Sequence, residues 1–246
     1  MSNSNDSEST NQIAPRKWSD YYQAVANRPP RETLLTALTN FELENATSTR
    51  TAIDLGCGSG RDTVELLRRG WKVIAIDSQE EAIEHLIEQQ KNYCDSEKCG
   101  LGGFHANSYN GGNLRNGLAP QEQLFQDSET LLENRISRFE NIDLPSGVDL
   151  INASFSLPFC EPQSFPELWN KIFSSLICGG RFSGQLFGNK DSWAKDSKMN
   201  FHTLSDINLL LKDFAVELLS EVDHPGRTAL GDEKHWHIFH IVARKK

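Results

Sequence analysis

Apolar residues in this chain occur in two patterns that alternate along it. Ala52-Ile53-Asp54-Leu55 is a short apolar run that stops at Gly56-Cys57-Gly58-Ser59-Gly60, and Val64, Leu66 and Leu67 then follow at helical spacing until Gly70. Trp71 to Ile76 is a second run, rich in β-branched residues, and it finishes on Asp77. These periods predict strand, glycine turn, helix and strand, which together make a βαβ unit. Further along, Gln79 to Gln90 reads as a helix with Ala82, Ile83, Leu86 and Ile87 inward. Ile136 to Phe139 reads as a third strand and Val148 to Ala153 as a fourth. A helix over Phe165 to Leu176, a turn at Cys178-Gly179-Gly180 and a fifth strand over Arg181 to Phe187 come next. A helix at Leu204 to Leu211 and strands at Ala215 to Val222 and His235 to Ala243 complete the pattern. Strands that alternate with helices in this way predict an α/β domain around a mostly parallel sheet.

Two stretches lack such periodicity. Residues 1–15 form a polar, Ser/Asn-rich tail that predicts disorder, leaving 16–246 as the domain. Between Asn92 and Thr130, six glycines stand among asparagines and few large apolar residues, so 92–130 reads as a disordered insertion. Between tail and first strand, Trp18, Tyr21, Tyr22 and Val25 recur at helical spacing, Asn27 to Pro30 breaks the pattern, and a second helix runs from Arg31 to Phe41. Two readings stay open for the first of these helices: it packs on the domain, or it lids a pocket.

At 246 residues the chain suits one decorated domain. A formal net charge of −9 argues against a surface built for phosphodiester backbones, so no nucleic-acid partner is expected. Five scattered cysteines, one inside the glycine turn, suit a reducing cytoplasm better than a disulfide framework. No run is long and apolar enough to suggest a membrane span or a targeting segment.

The βαβ unit carries the chemistry. Glycines allow close approach of a ligand to backbone, and the helix that follows aims free N–H groups at it. Asp77, at the end of the second strand, is placed to accept hydrogen bonds from two ribose hydroxyls. A dinucleotide fingerprint places its third glycine sixth from the first, but here that position is Arg61 and the extra glycine is Gly60. Asp54 also suits a cationic ligand better than a pyrophosphate, which it would repel.

Asp54-Leu55-Gly56-Cys57-Gly58-Ser59-Gly60 resembles the first motif of class I S-adenosylmethionine (SAM)-dependent methyltransferases. From about Trp18 to Arg244, apart from the insertion, the chain is similar to the small-molecule members of that class, such as the tellurite-resistance and thiopurine methyltransferases. The resemblance implies a Rossmann-like, seven-stranded, mostly parallel sheet with helices on both faces. Its last strand runs antiparallel between the fifth and sixth. It implies SAM as cofactor, a small-molecule acceptor and in-line displacement at the methyl group. It places Asp54, Gly56, Cys57, Gly58, Gly60, Asp77, Ser78, Phe139, Glu140, Asn152 and Ala153 at the cofactor. Arg138 stands where the class usually has an aspartate that holds the adenine amino group, which leaves Phe139 to cover the ring and Glu140 to accept from it. Acceptor and cofactor should meet at Asn152 to Ser156. The segment Gly188 to Thr203 should roof the pocket, with Tyr22, Phe155, Trp193 and His202 at the acceptor.

A soft nucleophile needs no base, whereas a hydroxyl or carboxyl acceptor would draw on His202 or His235, between which the sequence does not choose. No metal site is expected. In a strand His235 and His237 face one way and His240 the other, a ligand from His224 would have to come from afar, and Cys94, Cys99 and His105 make an incomplete zinc set. A SAM sensor without turnover and an NAD-linked oxidoreductase are the rival readings. The first would have a plugged acceptor pocket, and the second lacks a second domain to hold its substrate.

Overall fold

A computed structural model describes residues 18–25, 28–44, 48–98 and 131–246. The tail predicted over 1–15 and the greater part of the insertion predicted over 92–130 lie outside them.

Seven strands form one sheet: β1 (Thr51–Leu55), β2 (Lys72–Asp77), β3 (Leu132–Ile136), β4 (Val148–Ala153), β5 (Leu176–Phe187), β6 (Phe214–Arg227) and β7 (Glu233–Lys245). Their spatial order is β3-β2-β1-β4-β5-β7-β6. Strands β1 to β5 pair in parallel, and β7 runs antiparallel between β5 and β6, as the resemblance implied. Helices cover both faces: α1 (Trp18–Val25), α2 (Glu32–Glu42), α3 (Arg61–Arg68), α4 (Glu80–Lys98), α5 (Phe165–Ser175) and α6 (Leu204–Leu210).

Successive strand residues feed opposite faces, so unbroken apolar runs are what a doubly covered sheet requires. Ala52, Val73 and Leu150 pack with Leu34, Leu38 and Phe41 of α2 and Leu66 of α3. Their neighbours Ile53, Ile74 and Ile151 pack on the other face with Leu168, Trp169 and Ile172 of α5 and Ile207 of α6.

Four expectations need correction. The third strand is Leu132–Ile136 and not Ile136 to Phe139, whose last residue begins a single 3-10 turn, Phe139–Asn141. Leu132–Ile136 is an edge strand, and its Glu133, Asn134 and Arg135 break the apolar signal that marks an inner strand. Cys178-Gly179-Gly180 is no turn, because β5 already begins at Leu176 and passes through these residues with a register shift opposite Val148 and Leu150. Helix α4 continues to Lys98, so residues 92–98 belong to it and not to an insertion. Strands β6 and β7 are longer than their apolar cores and project as a hairpin beyond the rest of the sheet, pairing from Phe214↔Lys245 out to Arg227↔Glu233.

Candidate active site

At the carboxyl ends of β1, β2 and β4 the structure holds a cavity of about 420 Å³. Open parallel sheets bind ligands at this edge, where the strand order reverses. One end of the cavity is walled by Gly56 and Gly58, the tip of β2 from Ile76 to Gln79, and Ser137 to Glu140. The other end is aromatic, with Trp18, Tyr21 and Tyr22 of α1, Phe155, Phe159, Phe187, Trp193 and Trp236. The two ends are continuous.

The glycine end is built for close approach. Gly56 and Gly58 have φ of +67° and +54°, and a Cβ on Gly56 would collide with the Ser156 side chain. A Cβ on Gly58 would lie 3.2 Å from the Tyr22 ring. Asp77, the last residue of β2, stands beside them. Its Oδ2 accepts from the Gly58 N–H and its Oδ1 from the Gln79 N–H, each at 2.9 Å. Each oxygen keeps a second lone pair for a ligand. Burial raises the Asp77 pKa, and these backbone donors oppose that rise. Burial, and then the nearby Asp77 carboxylate, hold the Tyr22 hydroxyl firmly protonated.

Beneath this end lies a buried polar strut. Asp54 accepts from Thr63 Oγ1 at 2.6 Å and from Asn152 Nδ2 at 2.9 Å, and Asn152 Oδ1 accepts from Ser183 Oγ at 2.8 Å. Asp62 accepts from Asn152 Nδ2 at 3.2 Å, from Ser154 Oγ at 2.5 Å and from the Arg31 N–H at 3.1 Å. Burial, reinforced by the charge of Asp62, pushes Asp54 up to about 7. Two guanidinium groups close the strut. Arg61 Nε lies 3.3 Å from Asp62 Oδ1, and Arg31 sits 4.2 Å over the Phe155 ring. Arg31 Nε and Arg61 Nη1 are buried and have no hydrogen-bond partner among the described residues. Such orphaned donors call for an anionic group.

Phe155 is the one described residue other than glycine with positive φ, at +57°. Its N–H donates to Gln185 Oε1 at 3.1 Å, and Gln185 Nε2 donates to Thr33 Oγ1 at 2.8 Å, so β5 and α2 hold the strained backbone in place.

Of the residues expected at the cofactor, the cavity gathers Gly56, Gly58, Asp77, Ser78, Phe139 and Glu140. It does not gather Asp54 and Asn152, which form the strut, or Cys57, whose thiol packs with Ala75, Ile83 and Leu86. Gly60 abuts Leu86 with φ of +89°, and Ala153 is fully buried in the core beneath the sheet tip. Tyr22, Phe155 and Trp193 line the aromatic end as expected. Neither candidate base does. His202 is turned against Phe165, 4.8 Å between ring centroids, and burial lowers its pKa to about 4. His235 pairs with Asp223 at 2.7 Å on the hairpin.

Sequence reading missed the hairpin tip, where Thr228, Ala229, Leu230 and Asp232 overhang the cavity. A local signal was Gly231-Asp232, which marks a turn but not where the turn lands.

Glu221, Asp223 and His237 also cluster, with one ligand atom of each within 4.8 Å of the others. Hydrogen bonding argues against a metal there. His237 Nδ1 accepts from the Lys190 N–H at 3.1 Å, so Nε2 carries the proton and donates to Glu221 at 2.8 Å. A metal-bound imidazole instead donates from its other nitrogen. Lys190 Nζ, at 2.6 Å, already occupies Asp223.

The fold is similar to that of solved methyltransferases. Residues 52–99, from β1 through α4, match the family described as "Methyltransferase domain". No curated protein matches the chain. Among solved structures, TehB from Haemophilus influenzae is similar at 16% identity and a TM-score of 0.62, covering 94% of this chain and 68% of its own. The N-methyltransferase NodS from Bradyrhizobium japonicum WM9, in complex with S-adenosyl-L-homocysteine (SAH), is similar at 12% identity and a TM-score of 0.57, covering 93% of this chain and 97% of its own. The Burkholderia thailandensis 1,6-didemethyltoxoflavin-N1-methyltransferase, with bound 1,6-didemethyltoxoflavin and SAH, is similar at 17% identity and a TM-score of 0.53, covering 95% of this chain and 93% of its own.

Proposed function

We propose that this protein is a SAM-dependent methyltransferase that methylates a small-molecule acceptor. The observation that carries the reading is Asp77, whose carboxylate is fixed at the tip of β2 beside a glycine-walled cavity that runs on into an aromatic compartment. When bound, SAM supplies a methyl group on a sulfonium, which is an excellent leaving group. The protein's task is therefore alignment and exclusion of water.

The residues present suit that cofactor. Asp77 would take the ribose hydroxyls on its free lone pairs, Phe139 would cover the adenine, and Glu140 would accept from its amino group. Arg31 and Arg61 stand behind the cavity lining, against Phe155 and Asp62, and would have to turn inward to receive the methionine carboxylate. Helix α1 lids the site through Trp18, Tyr21 and Tyr22. Among the described residues no histidine lines the cavity, which favours acceptors that need no general base, such as a thiolate or an uncharged aromatic nitrogen. Asp54 and Asn152 act through the strut, holding Ser154 and the end of β4.

The continuous second compartment favours an enzyme over a SAM sensor. Free Cys57, Cys160 and Cys178 support a reducing, cytoplasmic setting. Among the described residues no helix is long and apolar enough to cross a membrane. The test is calorimetry with SAH and NAD, followed by labelled SAM with a panel of acceptors scored by mass spectrometry. SAH is expected to bind and NAD not; tighter binding of NAD would overturn the reading.

A further inference from the structure

The function proposed above makes no use of the ion pair between Lys234 and Asp191. Both side chains are buried, each residue 4% exposed. They come from different elements, Lys234 from the start of β7 and Asp191 from the loop after β5. The Asp191 carboxylate accepts from the Lys234 ammonium, from the Trp193 N–H at 2.9 Å and from the His237 N–H at 3.2 Å. The ammonium lies 4.1 Å from the Trp193 ring centroid, 4.3 Å from that of Trp236 and 5.2 Å from that of Phe187. Well-packed apolar residues would tie two segments together at least as well as a buried ion pair, so general stability does not account for a cation placed here.

What the pair does hold is the wall of the aromatic compartment. Trp193 and Trp236 line the cavity with ring centroids 5.8 Å apart, and each turns a ring toward the ammonium. An indole attracts a cation through the electron density of its faces, while its edge is positive. With Lys234 drawing on that density, the rings have less to offer a second cation inside the cavity. The acidic groups that line the cavity among the described residues each have a polar partner, and Asp77 and Glu140 lie at the glycine end, away from the two indoles. Asp232 Oδ2 lies 3.3 Å from Thr228 Oγ1, Glu140 faces Arg138 at 3.6 Å, and Asp77 holds its two amides.

We propose that the Lys234–Asp191 pair is a specificity device: it sets Trp193 and Trp236 as the wall for an uncharged, planar aromatic acceptor and selects against a cationic one. The proposal rests on reading the aromatic compartment as the acceptor site. Lys234 and Asp191 are positioning residues that act through the two indoles.

The test uses quinoline and N-methylquinolinium, two planar probes of nearly equal shape that differ in charge at neutral pH. Each is titrated by calorimetry into the full chain saturated with SAH. Wild type is expected to bind quinoline about tenfold more tightly than N-methylquinolinium or better. In K234M/D191N, which removes both charges and leaves no lone buried ion, the ratio should fall to within about threefold while SAH affinity is unchanged. Equal or tighter binding of N-methylquinolinium to wild type overturns the proposal, as does a folded double variant that keeps the full preference. If the variant does not fold, the wild-type ratio alone decides. Failure of SAH itself to bind would instead overturn the cofactor reading.

Discussion

Single residues carry the cofactor argument, and Asp77 carries most of it. On the proposed function, Asp77→Ala would remove two charge-assisted hydrogen bonds to the ribose, each worth about 1.5–3 kcal/mol, so SAH affinity measured by calorimetry should fall by roughly two to four orders of magnitude. Because the carboxylate also satisfies the Gly58 and Gln79 N–H groups, the variant should lose about 1–3 kcal/mol of stability as well. Asp143→Ala, an exposed change after β3, should leave SAH binding nearly intact. Equal affinities for wild type and Asp77→Ala would mean that the nucleoside sits elsewhere. Asp54 makes a different prediction. Its pKa rises from the usual 3.8 in the unfolded chain to about 7 in the fold, so between those values the folded state binds more protons than the unfolded one. Stability from this group is present below the lower value and lost as pH rises through the upper. Asp54→Asn keeps the shape without the titration, so denaturant melts should show the difference in stability, wild type minus variant, falling by ~1–3 kcal/mol from pH 5 to pH 8. A flat difference would show that Asp54 does not titrate in this window. The place of Asp77, at the tip of β2 beside the glycine turn, was legible in the sequence because it follows from a local βαβ unit. That Asp54 lies outside the cavity was not legible, because adjacency to the glycines says nothing of which side of the sheet tip a carboxylate occupies. The directions of His202 and His235 were equally silent, since the direction of a loop or hairpin side chain is set by distant packing.

At the scale of elements, the strands whose two faces are buried were legible and the peripheral ones were not. Ala52–Leu55 and Val148–Ala153 read as strands because both of their faces need apolar residues, whereas Leu132–Ile136, on the edge, carries Glu133, Asn134 and Arg135 and gave no such signal. The extension of β6 and β7 was equally silent, because Asp223, His224, Pro225 and Gly226 read as loop while the backbone runs on as an edge strand. That extension is what carries Thr228 to Asp232 over the cavity. Replacing residues 228–232 by a two-residue Asn-Gly turn, which suits a hairpin, should open the aromatic compartment without touching the glycine end. SAH affinity should then stay within about threefold of wild type while quinoline binding weakens about tenfold or more. Loss of SAH binding in this variant, with the protein still folded by circular dichroism, would show that the tip belongs to the cofactor site.

For the molecule as a whole, the question is what the stretch between Lys98 and Leu131 contributes. Among the described residues, seven strands already form one sheet, and clusters that include Leu34, Ile53 and Ala243 pack on its faces. Its sequence, with glycines and asparagines in place of large apolar side chains, offers little burial to repay the ordering of backbone, which costs roughly 1–2 kcal/mol per residue. Replacing residues 99–130 with a short Gly/Ser linker should therefore leave the melting temperature nearly unchanged, since lengthening or shortening a surface connection alters closure entropy only slowly. The replacement must begin after Lys98, because α4 packs Ala82, Ile83 and Leu86 onto the sheet and the residues up to 98 continue that helix. Two measurements separate the outcomes. An unchanged melting temperature with unchanged SAH affinity would leave the stretch without a part in fold or cofactor site. A drop of more than a few degrees would mean that it buries apolar surface against the domain, and its composition would then have been misjudged as that of a loop.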